Sequence, residues 1–240
     1  MKVRFRPRPV PTLCTIVLVP ILVGLGLWQT DRAEQRTATL ELYTTRIDSP
    51  PITIGAALES PEEIEYRQVR TGGTWDQSRE FFLDNQVSSR RAGYHVITPL
   101  LLQGGTTAVL VNRGWIPAAA DRSIVPHTQP LTGTADVVGV AVIPAQDAFT
   151  LEDDGPLDEH SSPVWQVLDF QRFEDAAPYS LQGFVIQLDP AMTGGFERDW
   201  KPPSDEWVFR HKAYAFQWFT LCAALLVIYF LFAFRPHKES

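Results

Sequence analysis

The sequence predicts two transmembrane α-helices that bracket an exported, mainly antiparallel β domain, either an open sheet or a partly closed barrel, with minor helices. Two apolar stretches predict the helices, because residues 12–28 and 213–234 contain no charged side chain. The runs between them predict the β domain. They are short, rich in Val, Ile, Thr and aromatic residues, and separated by Gly and Pro.

The second apolar stretch is long enough to cross a bilayer comfortably, and the first only just. As helices they rise roughly 25 and 33 Å, against a hydrocarbon core of about 30 Å. We therefore assign residues 12–29 and 213–234 to two spans. Trp28 ends the first span, and Tyr214 and Trp218 lie near the start of the second, where amphipathic rings prefer the headgroup layer.

The charges on the flanks predict the orientation. The N-terminal tail, residues 1–11, has four basic residues and no acid, and the C-terminal tail, residues 235–240, has two basic residues and one acid. Both tails are therefore expected in the cytoplasm. Residues 30–212 then form one exported domain, whose 15 basic and 27 acidic residues give a net charge of −12.

The first apolar stretch has an alternative interpretation as a cleavable signal peptide. Gly24-Leu25-Gly26 would be the small-residue site, and the mature chain would begin near Leu27. Only 11 residues precede the stretch, too few for an amphipathic transit peptide, so the expected location is the plasma membrane of a bacterium.

Composition excludes two broad classes of protein. With 45% hydrophobic and 20% charged residues, the chain is not a disordered one. The formal net charge of −7 leaves no basic surplus for a phosphate backbone, so nucleic acid is not an expected partner. The two apolar stretches make membrane lipid the expected partner. Cys14 and Cys222 both lie in the spans at mismatched depths, so we expect no disulfide between them.

The exported region is predicted to begin with a helix and continue as strands. Residues from about 31 to 46 are good helix formers, so the first helix should continue until Pro50-Pro51. The candidate strands are Tyr66–Trp75, Glu80–Gln86, Gly93–Leu102, Thr107–Ile116, Ala135–Ile143, Val164–Asp169 and Phe184–Asp189. The pair 93–102 and 107–116, joined by a Gly-Gly turn, gives the strongest hairpin signal. A short helix is expected at Gln171–Ala177.

The exported region offers little catalytic chemistry. It contains no Gly-x-Ser-x-Gly, no His-Glu-x-x-His, no phosphate-binding glycine loop and no cysteine. The acidic segment Asp147–His160 lacks the ligand spacing of a calcium loop and is interpreted as a solvated loop. His95 alternates with apolar neighbours, so we expect a partly buried strand residue that hydrogen-bonds to backbone.

His211 lies just before the second span. On a helix it shares one stripe with Tyr214 or Ala215, Trp218 and Cys222, which places an imidazole above an aromatic and aliphatic face. Such a site suits an amphiphile whose apolar macrocycle lies against aromatic rings and whose iron binds imidazole.

Four cations flank this stripe, namely Arg32, Arg36, Arg210 and Lys212. They could pair with the acidic substituents of such a ligand. The alternative is that the cations snorkel to the interface and that His211 merely ends a helix. The physics of the residues leaves both interpretations open.

Five short motifs follow one another along the chain. They are Leu25-Gly26-Leu27-Trp28-Gln29-x-x-Arg32, Tyr66-Arg67-x-Val69, Gly93-Tyr94-His95-Val96-Ile97-Thr98-Pro99-Leu100, Val111-Asn112-Arg113-Gly114-Trp115-Ile116-Pro117 and His211-x-x-Tyr214-Ala215-x-Gln217-Trp218-Phe219. In this order, and with two spans around an exported domain, they resemble the surfeit-locus protein family, membrane-bound assembly factors of cytochrome c oxidase.

The resemblance implies a function in building the haem centres of a haem-copper terminal oxidase. Bacterial members are thought to bind haem a and pass it to the catalytic subunit, with haem a synthase as a second candidate partner. The residue that matches the axial ligand of the haem iron is His211, and Trp28, Arg32, Tyr214 and Trp218 are expected around the cofactor. Arg210 stands where the family commonly has Asn.

Two other functions remain open. The chain could be a scaffold that binds oxidase subunits without haem, or a tethered exported hydrolase. An assembly factor of this kind is not an enzyme, because transfer of a bound cofactor changes no covalent bond. Arg67 and Arg113 are expected to brace the domain against the membrane-proximal parts rather than to do chemistry.

Overall fold

The computed structural model describes residues 3–5, 7–121, 124, 126–131, 133–144 and 162–236. The segment Asp147–His160 therefore lies outside the described residues. The chain divides into two compact units. The helical unit comprises Met1–Leu42 and Pro202–Ser240, and the β unit comprises Tyr43–Lys201.

Two long helices enclose the strands of the β unit along the described residues. In chain order they are β1 (Val3–Phe5), α1 (Pro9–Ile47), β2 (Ile52–Thr53), α2 (Pro61–Ile64), β3 (Gln68–Trp75), a 3₁₀ turn (Gln77–Arg79), β4 (Phe81–Ser88), β5 (Arg91–Leu102), β6 (Thr107–Pro117), β7 (Thr134–Val142), β8 (Val164–Trp165), α3 (Phe170–Ala176), β9 (Ser180–Leu188), α4 (Asp205–Ala233) and β10 (Phe234–Pro236).

The helical unit is built from two long helices. α1 has 39 residues and α4 has 29, and both are long and apolar enough to cross a membrane. Their large apolar side chains point outward, for example Ile16 at 65% exposure and Leu231 at 72%. Outward-facing side chains of this size would be unfavourable in water and are favourable in lipid, so the two helices indicate a membrane protein. β1, which precedes α1, and β10, which follows α4, pair antiparallel.

The last turn of α1 belongs to the β unit. There the Tyr43 ring lies 5.5 Å from the Tyr66 ring, edge to face. The Arg46 guanidinium donates to the carbonyls of Glu62 and Glu65, at 2.6 and 3.0 Å. These contacts tie the end of the helix to the segment that leads into β3.

The β unit is a mixed, mainly antiparallel sheet of eight strands in the order β2-β3-β7-β9-β6-β5-β4-β8. A further antiparallel pairing joins β3 to β5, with Thr74 opposite Leu101. This pairing closes β3, β7, β9, β6 and β5 into a ring, while β2, β4 and β8 extend it. The predicted fold class, with a partly closed barrel, is confirmed.

The strands at the centre of the sheet are apolar on both faces. In β6, Val109 and Val111 pack in one core cluster, whereas Ala108 and Leu110 pack in another. Successive side chains of a strand point to opposite faces, so β6 separates two cores. This explains why nine successive residues of β6 are buried instead of every second one.

The hairpin of β5 and β6 is confirmed, with Leu101 opposite Ala108. Two local expectations differ from the structure. The run predicted as a strand over Val164–Asp169 is strand only at Val164–Trp165, because Asp169 caps α3 by accepting from the amide of Arg172 at 3.0 Å. The β6–β9 pair is parallel, whereas the alternation of runs and turns had indicated antiparallel neighbours.

Candidate functional site

Near His211, the Phe219 ring of α4 lies against Gly26 of α1. A Cβ placed on Gly26 would lie 2.6 Å from Cε1 of Phe219, so glycine is needed where the Phe219 ring crosses α1. Ala33 of α1, and Ala215 and Cys222 of α4, are buried. Near the far ends of the two helices, the hydroxyls of Thr12 and Tyr229 lie 3.1 Å apart.

A hydrogen bond joins His211 to Gln29 across this contact. Nδ1 of His211 lies 2.7 Å from Oε1 of Gln29, and the imidazole is half-buried. An amide oxygen only accepts, so Nδ1 carries the proton and donates it. In the neutral form of the ring, this hydrogen bond leaves the lone pair on Nε2. Among the described residues, no other group hydrogen-bonds to this ring.

The predicted stripe on α4 is present only in part. Ala215 and Cys222 are buried, and Trp218 is half-buried. Tyr214 lies on the outer surface of α4 at 47% exposure. Of the two side chains that the helical period allowed beneath His211, the structure therefore buries Ala215 and exposes Tyr214.

Trp28 and Arg32 of α1 are both exposed, Trp28 at 51%. A guanidinium nitrogen of Arg32 donates to Oε1 of Gln35 at 2.9 Å, and Gln35 in turn donates to Asp31 at 2.8 Å. These bonds lie along one exposed helix face. They leave the other nitrogens of Arg32 available to a negatively charged group.

Arg210 contacts two residues of its own helix, α4. It pairs with Glu206 one turn earlier at 2.8 Å and lies over the Trp207 ring, 4.7 Å from its centroid. An exposed pair of this kind contributes little stability. Its geometry orients the Arg210 side chain toward the start of α4.

Arg113 is a structural residue of the β unit. Its guanidinium is buried, pairs with the Glu80 carboxylate at 2.7 Å and donates to the Gly194 carbonyl at 2.8 Å. Burial lowers the pKa of Arg113, and the charge of Glu80 opposes that shift. Thr98 also donates to Glu80, at 2.6 Å. The expected bracing thus occurs inside the sheet rather than against membrane-proximal parts.

One buried atom of Arg67 lacks a partner, and His95 differs from its expected surroundings. Nε of Arg67 is buried without a hydrogen-bond partner. The His95 ring makes no hydrogen bond to backbone in the part of the chain that the structure describes; instead it contacts the Trp200 ring, 5.6 Å away, edge to face. The sequence pattern predicted the partial burial of His95 correctly, but not its neighbour, which is 105 positions away.

Cys14 and Cys222 are both free thiols. Within the described residues, no group of three or more His, Cys, Asp or Glu side chains could hold a metal ion.

Two residues that contact α4, Gln29 and Gly26, had no predicted role. Both stood in the first motif, and Gln29 is one position from Trp28. Their spacing of three residues puts them on the same face of α1, and this was the signal that could have identified the face toward α4.

The chain matches known proteins over most of its length. The SURF1 family matches residues 16–223. Surfeit locus protein 1 of Mus musculus is 23% identical, over 90% of this chain and 73% of the mouse protein. The SURF1-like proteins of Rickettsia felis and Rickettsia bellii are 24% and 25% identical, over 92% and 95% of this chain and 95% and 90% of theirs. The matched range spans the positions of all five motifs and of Gln29 and His211.

Proposed function

Because the chain belongs to the SURF1 family, we propose that it is a membrane-bound assembly factor for a haem-copper terminal oxidase. In this proposal it binds haem a through His211 and assists its insertion into the catalytic subunit. The observation that carries the proposal is the 2.7 Å contact between Nδ1 of His211 and Oε1 of Gln29.

The donor chemistry at His211 fits a haem iron. An iron ion takes a lone pair from a neutral imidazole nitrogen. In the neutral ring, the Gln29 amide holds the proton on Nδ1 and leaves the lone pair on Nε2. Hydrogen bonds of this kind to the second ring nitrogen orient metal-binding histidines and raise their basicity. Haem a, when bound, supplies the iron that this nitrogen would take.

The surrounding residues have the chemistry that a macrocycle with carboxylate substituents requires. Trp28 and Tyr214 present exposed aromatic rings, one residue before Gln29 on α1 and three residues after His211 on α4. Arg32 supplies an exposed cation that could pair with a carboxylate at the water surface. We propose that these three residues and Trp218 hold the cofactor around His211.

The proposal places the chain in the plasma membrane of a bacterium with both termini in the cytoplasm. The basic tails and the net charge of −12 over residues 30–212 support this orientation. The proposed partners are the catalytic subunit of the oxidase, with haem a synthase as the source of the cofactor. The chain binds and releases its cargo in this scheme and catalyses no covalent reaction.

The test is the visible spectrum of the protein purified from cells that also make haem a. The proposal predicts a strong absorption band near 400 nm that co-purifies with the wild-type chain and with His127→Ala, since His127 is an exposed histidine of the β unit. Purified chain that binds oxidase subunits but carries no pigment would favour the scaffold function instead.

A further inference from the structure

The β unit contains a cavity of about 200 Å³ that the proposed function does not use. It lies beside the β4–β5 hairpin, and its wall includes Gln86, His95, Gln187, Glu197, Asp199 and Trp200. Sites for whole small molecules usually enclose roughly 300 Å³ or more. A cavity of this size accommodates one large side chain rather than a macrocycle.

A neutral imidazole and an indole form one part of the wall. The rings of His95 and Trp200 meet edge to face, with centroids 5.6 Å apart. Burial lowers the pKa of His95 to about 4, so the imidazole is uncharged at neutral pH. A neutral imidazole offers one acceptor nitrogen, and an indole face attracts cations.

Two carboxylates form another part of the wall. Backbone bonds fix Glu197 beside β6: Trp115 donates to the Glu197 carbonyl at 2.7 Å, and the Glu197 amide donates to the Trp115 carbonyl at 3.2 Å. The nearby cation of Arg198 is turned away and donates to the carbonyls of Asp189 and Met192, at 2.7 and 2.8 Å. None of the described residues forms an ion pair with Glu197 or Asp199.

The wall is therefore rich in acceptors and negatively charged. The Ser88 hydroxyl donates to one carboxylate oxygen of Glu197, which leaves the second oxygen to a ligand. Lys201 also lines the cavity, so the formal charge of the lining is −1 with His95 neutral. The lining offers two carboxylates, two amide oxygens and one imidazole nitrogen to a ligand with several N–H donors. A guanidinium carries five such donors and a charge of the right sign.

We propose that this cavity binds one arginine side chain of a partner polypeptide. The apolar side chain of Val87 also lines the cavity and is 64% exposed. It can therefore contact the main chain of a partner, which favours a polypeptide ligand over a free small molecule. The proposal is independent of haem binding and rests only on residues of the β unit.

The experiment uses the full chain in detergent and three probes. N-acetyl-arginine amide represents an arginine within a polypeptide, N-acetyl-citrulline amide is its uncharged isostere, and free arginine represents a metabolite. Binding is followed by the ¹⁵N indole signal of Trp200, assigned with Trp200→Phe. We expect saturable binding of the arginine amide only. Glu197→Gln and Asp199→Asn should each raise its Kd about two- to fivefold.

Glu63→Gln is the matched control, because Glu63 is an exposed acid of the same unit that does not line the cavity. It should leave the Kd unchanged. Equal binding of the citrulline amide, no saturable binding, or equal effects of all three acid variants would overturn the proposal. Tighter binding of free arginine than of the capped amide would identify a metabolite site and overturn the assignment to a polypeptide.

Discussion

The amide of Gln29 determines which nitrogen of His211 carries the proton. Replacing Gln29 by Ala removes the acceptor 2.7 Å from Nδ1 and allows either tautomer and a freer ring. Changes to such supporting residues usually cost about 10- to 100-fold in metal affinity. Gln29→Ala should therefore weaken haem binding by that factor in a haem titration of the purified chain. Gln217→Ala, an exposed amide on α4, should leave it unchanged.

His95 makes the stability of the β unit depend on pH. Burial lowers its pKa to about 4 in the folded chain, from 6.5. The unfolded chain therefore binds more protons between these values, and stability falls as the pH falls through this window. Between pH 7 and pH 5 the loss should be about 2 kcal/mol. The charged groups that line the same cavity as His95 are Glu197, Asp199 and Lys201.

Chemical unfolding of wild type and His95→Phe at pH 5, 6 and 7 measures this loss. The Phe variant keeps an aromatic ring opposite Trp200 and should show a flatter dependence on pH. Equal slopes in the two proteins would show that His95 is not the titrating group.

At the scale of the helices, Gly26 leaves room on α1 for the Phe219 ring of α4. Gly26 faces the Phe219 ring, whereas a Cβ added to Gly24 would meet no atom within 4 Å. Gly26→Leu should therefore destabilise the helix pair by about 1–3 kcal/mol, since it must displace that ring. Gly24→Leu is the matched control and should not destabilise, because leucine is a better helix former than glycine.

Thermal unfolding of both variants in the same detergent checks this difference. Equal midpoints for Gly24→Leu and Gly26→Leu would contradict the close contact at Gly26. A lower midpoint for Gly26→Leu alone is the expected result.

Local signals predicted most of the elements, and non-local pairing explains what they missed. The β5–β6 hairpin was predictable because its Gly-Gly turn lies between two apolar runs. The parallel β6–β9 pair and the β3–β5 closure join segments far apart in the chain, so no local pattern specifies them. In the same way, helical spacing identified His211, but only the register of α1 against α4 brings Gln29 to it.

At the scale of the whole molecule, the tails determine the expected topology. Both tails are basic, so both termini should remain in the cytoplasm. A reporter that is active only in the periplasm should work when inserted at Gly104, in the β5–β6 turn, and fail when fused after Ser240. The opposite pattern would contradict the topology. Cleavage near Leu27, seen as a shortened N-terminus, would instead indicate a signal peptide.

The most direct test of the account is the haem content of His211→Ala with and without added imidazole. His211 is half-buried near one end of its helix pair, so its loss should change folding stability by no more than about 1 kcal/mol. We predict that His211→Ala, purified at matched expression, loses the haem that wild type retains, and that free imidazole restores it. Equal haem per protein in wild type and His211→Ala would contradict the assignment of His211 as the iron ligand.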